Sequence, residues 1–584
     1  MLPNCGQRVE KGRTSTNRPV GTSILSSRAK ASTPSPSGRR TAQPEPRVLN
    51  TVDDRRLHGM RRVVDETVRE PRIDSIAEAS HIQGLLQSSA VMSIVTIRLR
   101  TLNESPVRPE RAYVLYWMTA SRRTRFNWGL EHAVAQANAL GKPLVIFEAL
   151  RVGYPYANER MHQFVLDGMR DNAAACAREH VTYWPYLEPQ PGAGRGLLLA
   201  LARDAVQVVT DDSPQFFLPK MRQAAARQLD VRLDAVDSVG LMPRAALGRA
   251  FASAHALRSR LQKELPAQLQ HFPDADPLAD LLVRTQVPLP ADVRSTWPLA
   301  NAAELTGSTL TQLPLDHTIR AVQHKGGSDA GTARLHAFME ERLAAYPEDR
   351  NHPDLQGSSG LSPYLHFGHT SAHEVFLALA EAEDWHPGKL GPPNRGAREG
   401  WWGMSPAGEA FVDQLVTWRE LGHLEAEFTE NYDAWSTLPT WAQHTLDEHA
   451  RDPRPVTYTL AQLRGAATHD PLWNAAQRQL VADGTMHNYL RMLWGKKILE
   501  WSPTPQEALA RMLELNDRFA LDGRDPNSVA GIFWVLGRYD RPWGPVRPIF
   551  GTIRYMTSAN TARKWHTTSY VARWAAVRQF ALAV

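Results

Sequence analysis

Short apolar runs punctuate the first half of the chain: AYVLYWM (112–118), PLVIFEAL (143–150), VTYWPYL (181–187), VQVVTDD with its preceding Ala (206–212) and VRLDAVDS (231–238). They have strand length and are rich in β-branched and aromatic side chains, and amphipathic stretches of helical period separate them. That alternation predicts an α/β domain with a parallel sheet over 108–242. After about residue 331 the period changes to 3.6, with helices expected over 373–383, 408–421, 473–483, 485–501 and 505–519, so 331–584 reads as a large all-α domain. Residues 243–330, Pro-rich and weakly periodic beyond 270, read as the connection between the two. Residues 1–95 carry no sustained period. Stretches such as ASTPSPSGRRTAQPEP bury too little apolar surface to offset their ordering entropy, so this region is expected to be a disordered or targeting tail. An over-extended start, with Met92 near the true beginning, fits equally well.

Composition narrows the classes. A chain of 584 residues, 42% hydrophobic and 22% charged, fits a globular protein of two domains plus extra material. No apolar run reaches membrane-spanning length. Cys5 and Cys176 are the only cysteines, which excludes a disulfide framework and a multi-cysteine metal site, so no metal is expected and a reducing compartment follows. That compartment is the cytoplasm, or an organelle or the nucleus if the tail is a targeting segment. A net charge of +6 permits a polyanionic partner. The 17 tryptophans, against 14 tyrosines and 16 phenylalanines, leave room for stacking or electron transfer.

Four stretches carry candidate chemistry. Around Gly360, Ser358, Ser359 and Ser362 precede a helical segment, which suits a phosphate cradle and equally suits a capped turn. In HDPLWNAAQRQLVADGTMHNYLRMLWGKKILEW (469–501), Trp494 and Trp501 are two helical turns apart, about 10 Å along one face. The plain reading there is three core tryptophans beside solvated Lys496 and Lys497. In LELNDRFALDGRDPNS, Asn516 ends a helix, and Asp522 and Asp525 sit in a Gly-containing turn where Arg491 is a possible partner. The C-terminal run interleaves Arg538, Arg541, Arg547, Arg554, Arg563, Lys564 and Arg573 with Trp534, Trp543, Tyr555 and Trp565. Basic groups neutralise phosphates and aromatics stack on bases, so nucleic acid suits this run, as does a solvated basic surface. The loop TASRRTRFNWGL after the first strand lacks G-x-G-x-x-G, so a dinucleotide fingerprint is missing.

Taken together, LSPYLHFG, THDPLWNAAQ, the MH-to-KKILEW stretch, LDGRDPN and RPIFGTIRYM resemble the photolyase–cryptochrome family, most closely the class II cyclobutane pyrimidine dimer photolyases. The resemblance runs from about 110 to 575. It implies a Rossmann-like antenna domain, a helical domain holding FAD, UV-damaged DNA as partner and a monomeric state, with a deazaflavin or folate antenna possible. By position in the motifs, Tyr346 and the segment Ser358, Ser359, Gly360, Leu361, Ser362 resemble flavin phosphate and ribityl contacts. Asn516 matches the residue facing flavin N5, Arg491 and Asp522 the pair flanking the ring, and Gly523 and Arg524 belong to the same wall. Trp473, Trp494 and Trp501 match a photoreduction chain, with Trp494 innermost. Trp418 and Trp534 resemble lesion walls, Met492 and Arg350 lesion contacts, and Trp543, Arg547 and Arg554 residues that hold the opened duplex. The implied reaction is light-driven electron donation to a flipped dimer; a blue-light sensor that has lost or altered repair is the alternative.

Three positions depart from that pattern. Gln414 stands where the family usually has a glutamate, and can donate an N–H but supplies neither charge nor proton. Asn488 replaces a small glycine. The loop WVLGRYDRPW is shorter by one residue between Trp534 and Asp540.

Overall fold

The computed structural model describes residues 96–575; the tail expected over 1–95 lies outside them. Six strands form one sheet: β1 (Leu99–Thr101), β2 (Tyr113–Met118), β3 (Leu144–Leu150), β4 (Thr182–Leu187), β5 (Ala205–Asp211) and β6 (Leu233–Val236). Their order is β1-β6-β5-β2-β3-β4. All pairings are parallel except β1 with β6, where Leu99 faces Val236. The five apolar runs supply β2 to β6. β1 was not expected, because LRT is three residues long and mostly exposed, and a strand that short has no readable period.

Alternation explains how β2 is buried on both faces. Val114, Tyr116 and Met118 enter one core cluster, while Tyr113, Leu115 and Trp117 enter the other. The chain order reverses between β2 and β5, and crevices at such switch points are where open α/β sheets bind ligands. A cavity of about 120 Å³ lies beside that point, at the carboxyl ends of β2 and β3 and against residues 215–218 that follow β5.

The segment 243–330 is more ordered than a bare connection. It contains a helix, Ala254–Gln268, whose Ser253 cap accepts from the Ala256 N–H. Beyond it the helices Ala372–Ala382, Pro471–Asp483, Asn488–Trp501 and Pro505–Phe519 fall within a few residues of the periodic segments. Their ends follow from capping chemistry. Asp470 accepts from the Leu472 and Trp473 N–H groups, Pro471 opens the helix, and Gly484 ends it at φ +71°. The expected 408–421 helix is built from Pro406–Val412, one π-helical turn over Asp413–Trp418, and Arg419–Phe428. No described helix is long and apolar enough to cross a membrane.

Candidate functional site

Arg491 is the hub of one polar cluster. It donates to Ser528 Oγ at 2.9 Å, Asn516 Oδ1 at 3.3 Å and Asp522 Oδ1 at 3.2 Å. Asn516 is buried, and its amide donates to Gly523 O at 2.6 Å and Ser528 Oγ at 3.2 Å. Two separate sequence stretches, 469–501 and 513–528, therefore meet here. Ser528 was missed, because a serine in a helix carries no signal until its partners are placed. Asp525 starts that helix by accepting from the Asn527 N–H. Against the desolvation that burial imposes, His423, His366 and Arg419 around it hold its carboxyl far below the usual range.

The 346–362 stretch is organised by a residue the sequence did not mark. Arg334 donates to Ser359 O at 2.6 Å and Ser358 O at 3.3 Å. Gly360 has φ +70°, a backbone conformation that favours glycine, and a Cβ there would lie 2.7 Å from the same guanidinium, which would have to shift. Leu361 is buried, whereas Ser358 and Ser362 are exposed ahead of the helix Ser362–Phe367. Tyr346 is packed edge-on to Phe338 and Phe411, with Arg350 5.4 Å from its ring centroid. One nitrogen of Arg350, Nη1, is buried without a protein partner. Free hydroxyls, an arginine behind the loop and an orphaned buried guanidinium nitrogen form a donor set that fits an anionic dinucleotide such as FAD. Arg524 points elsewhere. Its guanidinium lies 4.9 Å from Tyr154 and 5.3 Å from Phe216, at the sheet-side cavity.

Trp473, Trp494 and Trp501 are each no more than 2% exposed. The ring contact runs between helices, Trp473 to Trp501 at 5.4 Å, rather than along one helix from Trp494 to Trp501. Trp494 joins through its backbone, whose carbonyl accepts from Trp473 Nε1 at 3.1 Å, while its own indole N–H donates to Gln477 at 2.8 Å. Tyr458 extends the series, 5.2 Å from Trp501, and its hydroxyl meets exposed His469 Nδ1 at 2.6 Å. Neither was singled out from sequence. Lys496 and Lys497 are not solvated as the plain reading had it. Both are buried, Lys496 donating to Val535 O and Lys497 to Glu500 at 2.7 Å. Burial lowers the Lys496 pKa to about 7.

Trp418 and Trp534 stack with centroids 4.5 Å apart and planes 13° apart. Gln414 is half-buried on the π-helical turn that carries Trp418; Met492 is half-buried against the helical core, and Asn488 is exposed at the start of its helix. Trp543, Arg547 and Arg554 converge in the segment after Asp540. Arg541 and Arg554 lie 4.4 and 5.1 Å from the Trp543 ring, and Arg547 lies 4.9 Å from Tyr555. Among the described residues no His, Cys, Asp and Glu cluster is placed to hold a metal ion.

A mostly parallel sheet followed by a helical region is a fold this chain shares with a class III photolyase from Agrobacterium tumefaciens. That structure aligns with a TM-score of 0.57 at 18% identity, over 80% of this chain and 86% of its own. No family model matches the chain. Sequence similarity is closer. A deoxyribodipyrimidine photo-lyase from Methanothermobacter thermautotrophicus is 34% identical over 479 residues, 82% of this chain and 97% of its own length. Those of Oryza sativa subsp. japonica and Potorous tridactylus are 33% and 32% identical over 78% of this chain, and 86% and 80% of their own lengths. The chain belongs to the deoxyribodipyrimidine photo-lyase family. Membership makes it a DNA-repair lyase and implies FAD as cofactor.

Proposed function

We propose that the protein is a class II enzyme that splits cyclobutane pyrimidine dimers in DNA by light-driven electron transfer. The observation that carries this reading is the meeting of Arg491, Asn516, Asp522 and Ser528 in one network, Ser528 lying on the helix Pro526–Val535 whose last turn bears Trp534. In that reading Ser358 to Ser362 and Arg334 receive the FAD diphosphate, Tyr346 and Arg350 line its neighbourhood, and Asn516 faces the reactive edge of the ring. When bound and reduced, FAD supplies a photoexcitable one-electron donor. The chain's own part is position and dryness. Arg491 and Asp522 fix charge beside the ring, and the buried Trp494, Trp473 and Trp501 offer oxidisable rings leading outward. Trp418, Trp534, Met492 and Gln414 receive a pyrimidine dimer flipped out of the duplex, at a cost of a few kcal/mol that damage lowers. Trp543, Arg547 and Arg554 hold the duplex by stacking and phosphate neutralisation. Residues 108–242 then form the antenna domain, 243–330 the connection, and 331–584 the FAD- and DNA-binding domain.

The sheet-side cavity suits a flat second chromophore, a deazaflavin or folate, because Tyr154, Phe216 and Phe217 supply rings and Arg151 and Arg524 cations over them. At about 120 Å³ it is smaller than the roughly 300–1,000 Å³ of whole-ligand pockets, so admission requires the part-exposed Phe216 ring to move. Gln414 favours a second reading, a blue-light sensor without repair. One assay decides between them. Reduced protein is incubated with an oligonucleotide carrying a thymine dimer, in blue light and in darkness, and dimer loss is followed. Loss only in light supports repair; absent or light-independent loss removes it.

A further inference from the structure

The two indoles read as lesion walls are held differently. Stacked 4.5 Å apart at 13°, each covers the face that the other would offer to a base. Trp534 is half-buried on the last turn of its helix, just ahead of Gly537 at φ +109°, and its indole N–H has no hydrogen bond among the described residues. Trp418 is fastened. Its indole N–H donates to Asp413 Oδ2 at 3.2 Å. Asp413, 3% exposed, is gripped in turn by Arg258, with Nε 2.7 Å from Oδ1 and Nη2 3.0 Å from Oδ2. The same guanidinium lies 5.9 Å from the Trp418 ring centroid.

The backbone explains how an aspartate comes to lie under that indole. Residues five apart on an α-helix diverge by about 140° around the axis and do not meet. The π-helical turn Asp413–Trp418 bonds i to i+5 and brings its first and last residues together. Arg258 comes from the helix Ala254–Gln268, in the segment whose sequence reads as a connection. A forked guanidinium on a buried carboxylate is stiff in a way that a lone hydrogen bond is not.

We propose that Arg258 and Asp413 are positioning residues for damage recognition, holding Trp418 as the fixed wall against which a flipped pyrimidine dimer is received. This rests on the reading of Trp418 and Trp534 as lesion walls. Opening of the stacked pair then falls to Trp534, whose indole N–H has no hydrogen bond among the described residues. Neither Arg258 nor Asp413 touches the lesion in this scheme. They act by sparing the ordering cost of Trp418 when DNA arrives.

The test measures affinity for one oligonucleotide with and without a single thymine dimer. The parent is compared with the neutral pair Arg258→Gln/Asp413→Asn, which leaves no unpaired buried charge, and with Arg258→Lys, which keeps the charge but loses the fork. The neutral pair is expected to lower the preference for damaged over undamaged DNA about tenfold, the size of a hydrogen bond to a charged group. Affinity for undamaged DNA and flavin content are expected to stay unchanged. Arg258→Lys should retain part of the preference. An unchanged preference in the neutral pair, or equal losses on both oligonucleotides, overturns the proposal. If that variant loses its flavin, an unchanged preference in Arg258→Lys overturns it instead. A parent that shows no preference for the dimer removes the lesion-wall reading itself.

Discussion

Gln414 sits on the π-helical turn between the aspartate that holds Trp418 and Trp418 itself, half-buried. Its amide can donate to a pyrimidine carbonyl, but a glutamate there would add charge and a transferable proton. In the repair reading, Gln414→Glu is expected to raise the dimers split per absorbed photon by about fivefold, the scale on which charge-assisted bonds exceed neutral ones. Quantum yield under blue light checks this, and a fall would mean that the turn has adapted to the amide. Legibility at this scale depended on chemistry concentrated in short motifs. Arg491, Asn516 and Asp522 stood out because unusual residues were packed into a few positions. Ser528, Arg334 and Tyr458 did not, since an ordinary residue becomes informative only when the fold brings a distant partner to it. Arg524 was legible as a motif member but not in its direction, because a long side chain beside a turn can leave on either face.

Helices were easy to find and hard to interpret. Asn488–Trp501 buries nine of its residues, including two lysines, so it has no polar stripe by which its solvent face could be read. The π-helical turn was equally hidden, because 408–421 keeps an apolar period through the insertion. Lys496 is the part of this helix with the clearest thermodynamic signature. Its amine is buried and donates to Val535 O at the end of the helix bearing Trp534. Its pKa falls from 10.5 to about 7 on folding, through desolvation opposed by Asp540. Between those values the unfolded chain binds more protons than the folded one, so this group adds stability as pH rises from about 7 to 10.5. Lys496→Met abolishes that slope. Chemical denaturation across this window is expected to show parent stability rising relative to the variant by on the order of 2–4 kcal/mol. A constant difference would place the amine in water.

At the scale of the whole molecule, the parallel sheet was legible because its strands bury both faces and read as plain apolar runs. The contacts that fasten it to the helices were not, because they are single charged residues reaching across hundreds of positions. Arg160, after β3, donates to Phe519 O at 2.6 Å and Val481 O at 2.6 Å. On the other side the turn after β6 docks on the helix Arg419–Phe428. Glu420 accepts from the Leu241 N–H at 2.8 Å, and Arg98 donates to Gly240 O and Leu241 O at 3.1 and 2.7 Å. A Cβ on Gly240 would lie 2.7 Å from the Glu420 carboxylate, which measures how close the approach is. Burial raises the Glu420 pKa from 4.5 to about 7, against the pull of Arg419 and Arg98. From pH 4.5 to about 7 the folded state binds more protons than the unfolded one, so stability falls as pH rises through that window. Glu420→Gln keeps an acceptor for the backbone N–H groups and removes the titration. Its stability relative to the parent is therefore expected to climb between pH 4.5 and 7, by on the order of 2–3 kcal/mol, and to level off above. Urea denaturation of the flavin-loaded protein at pH 5, 6, 7 and 8 measures the climb. A flat difference across those pH values would mean that Glu420 is already charged in the fold, with Arg98 and Arg419 compensating it fully.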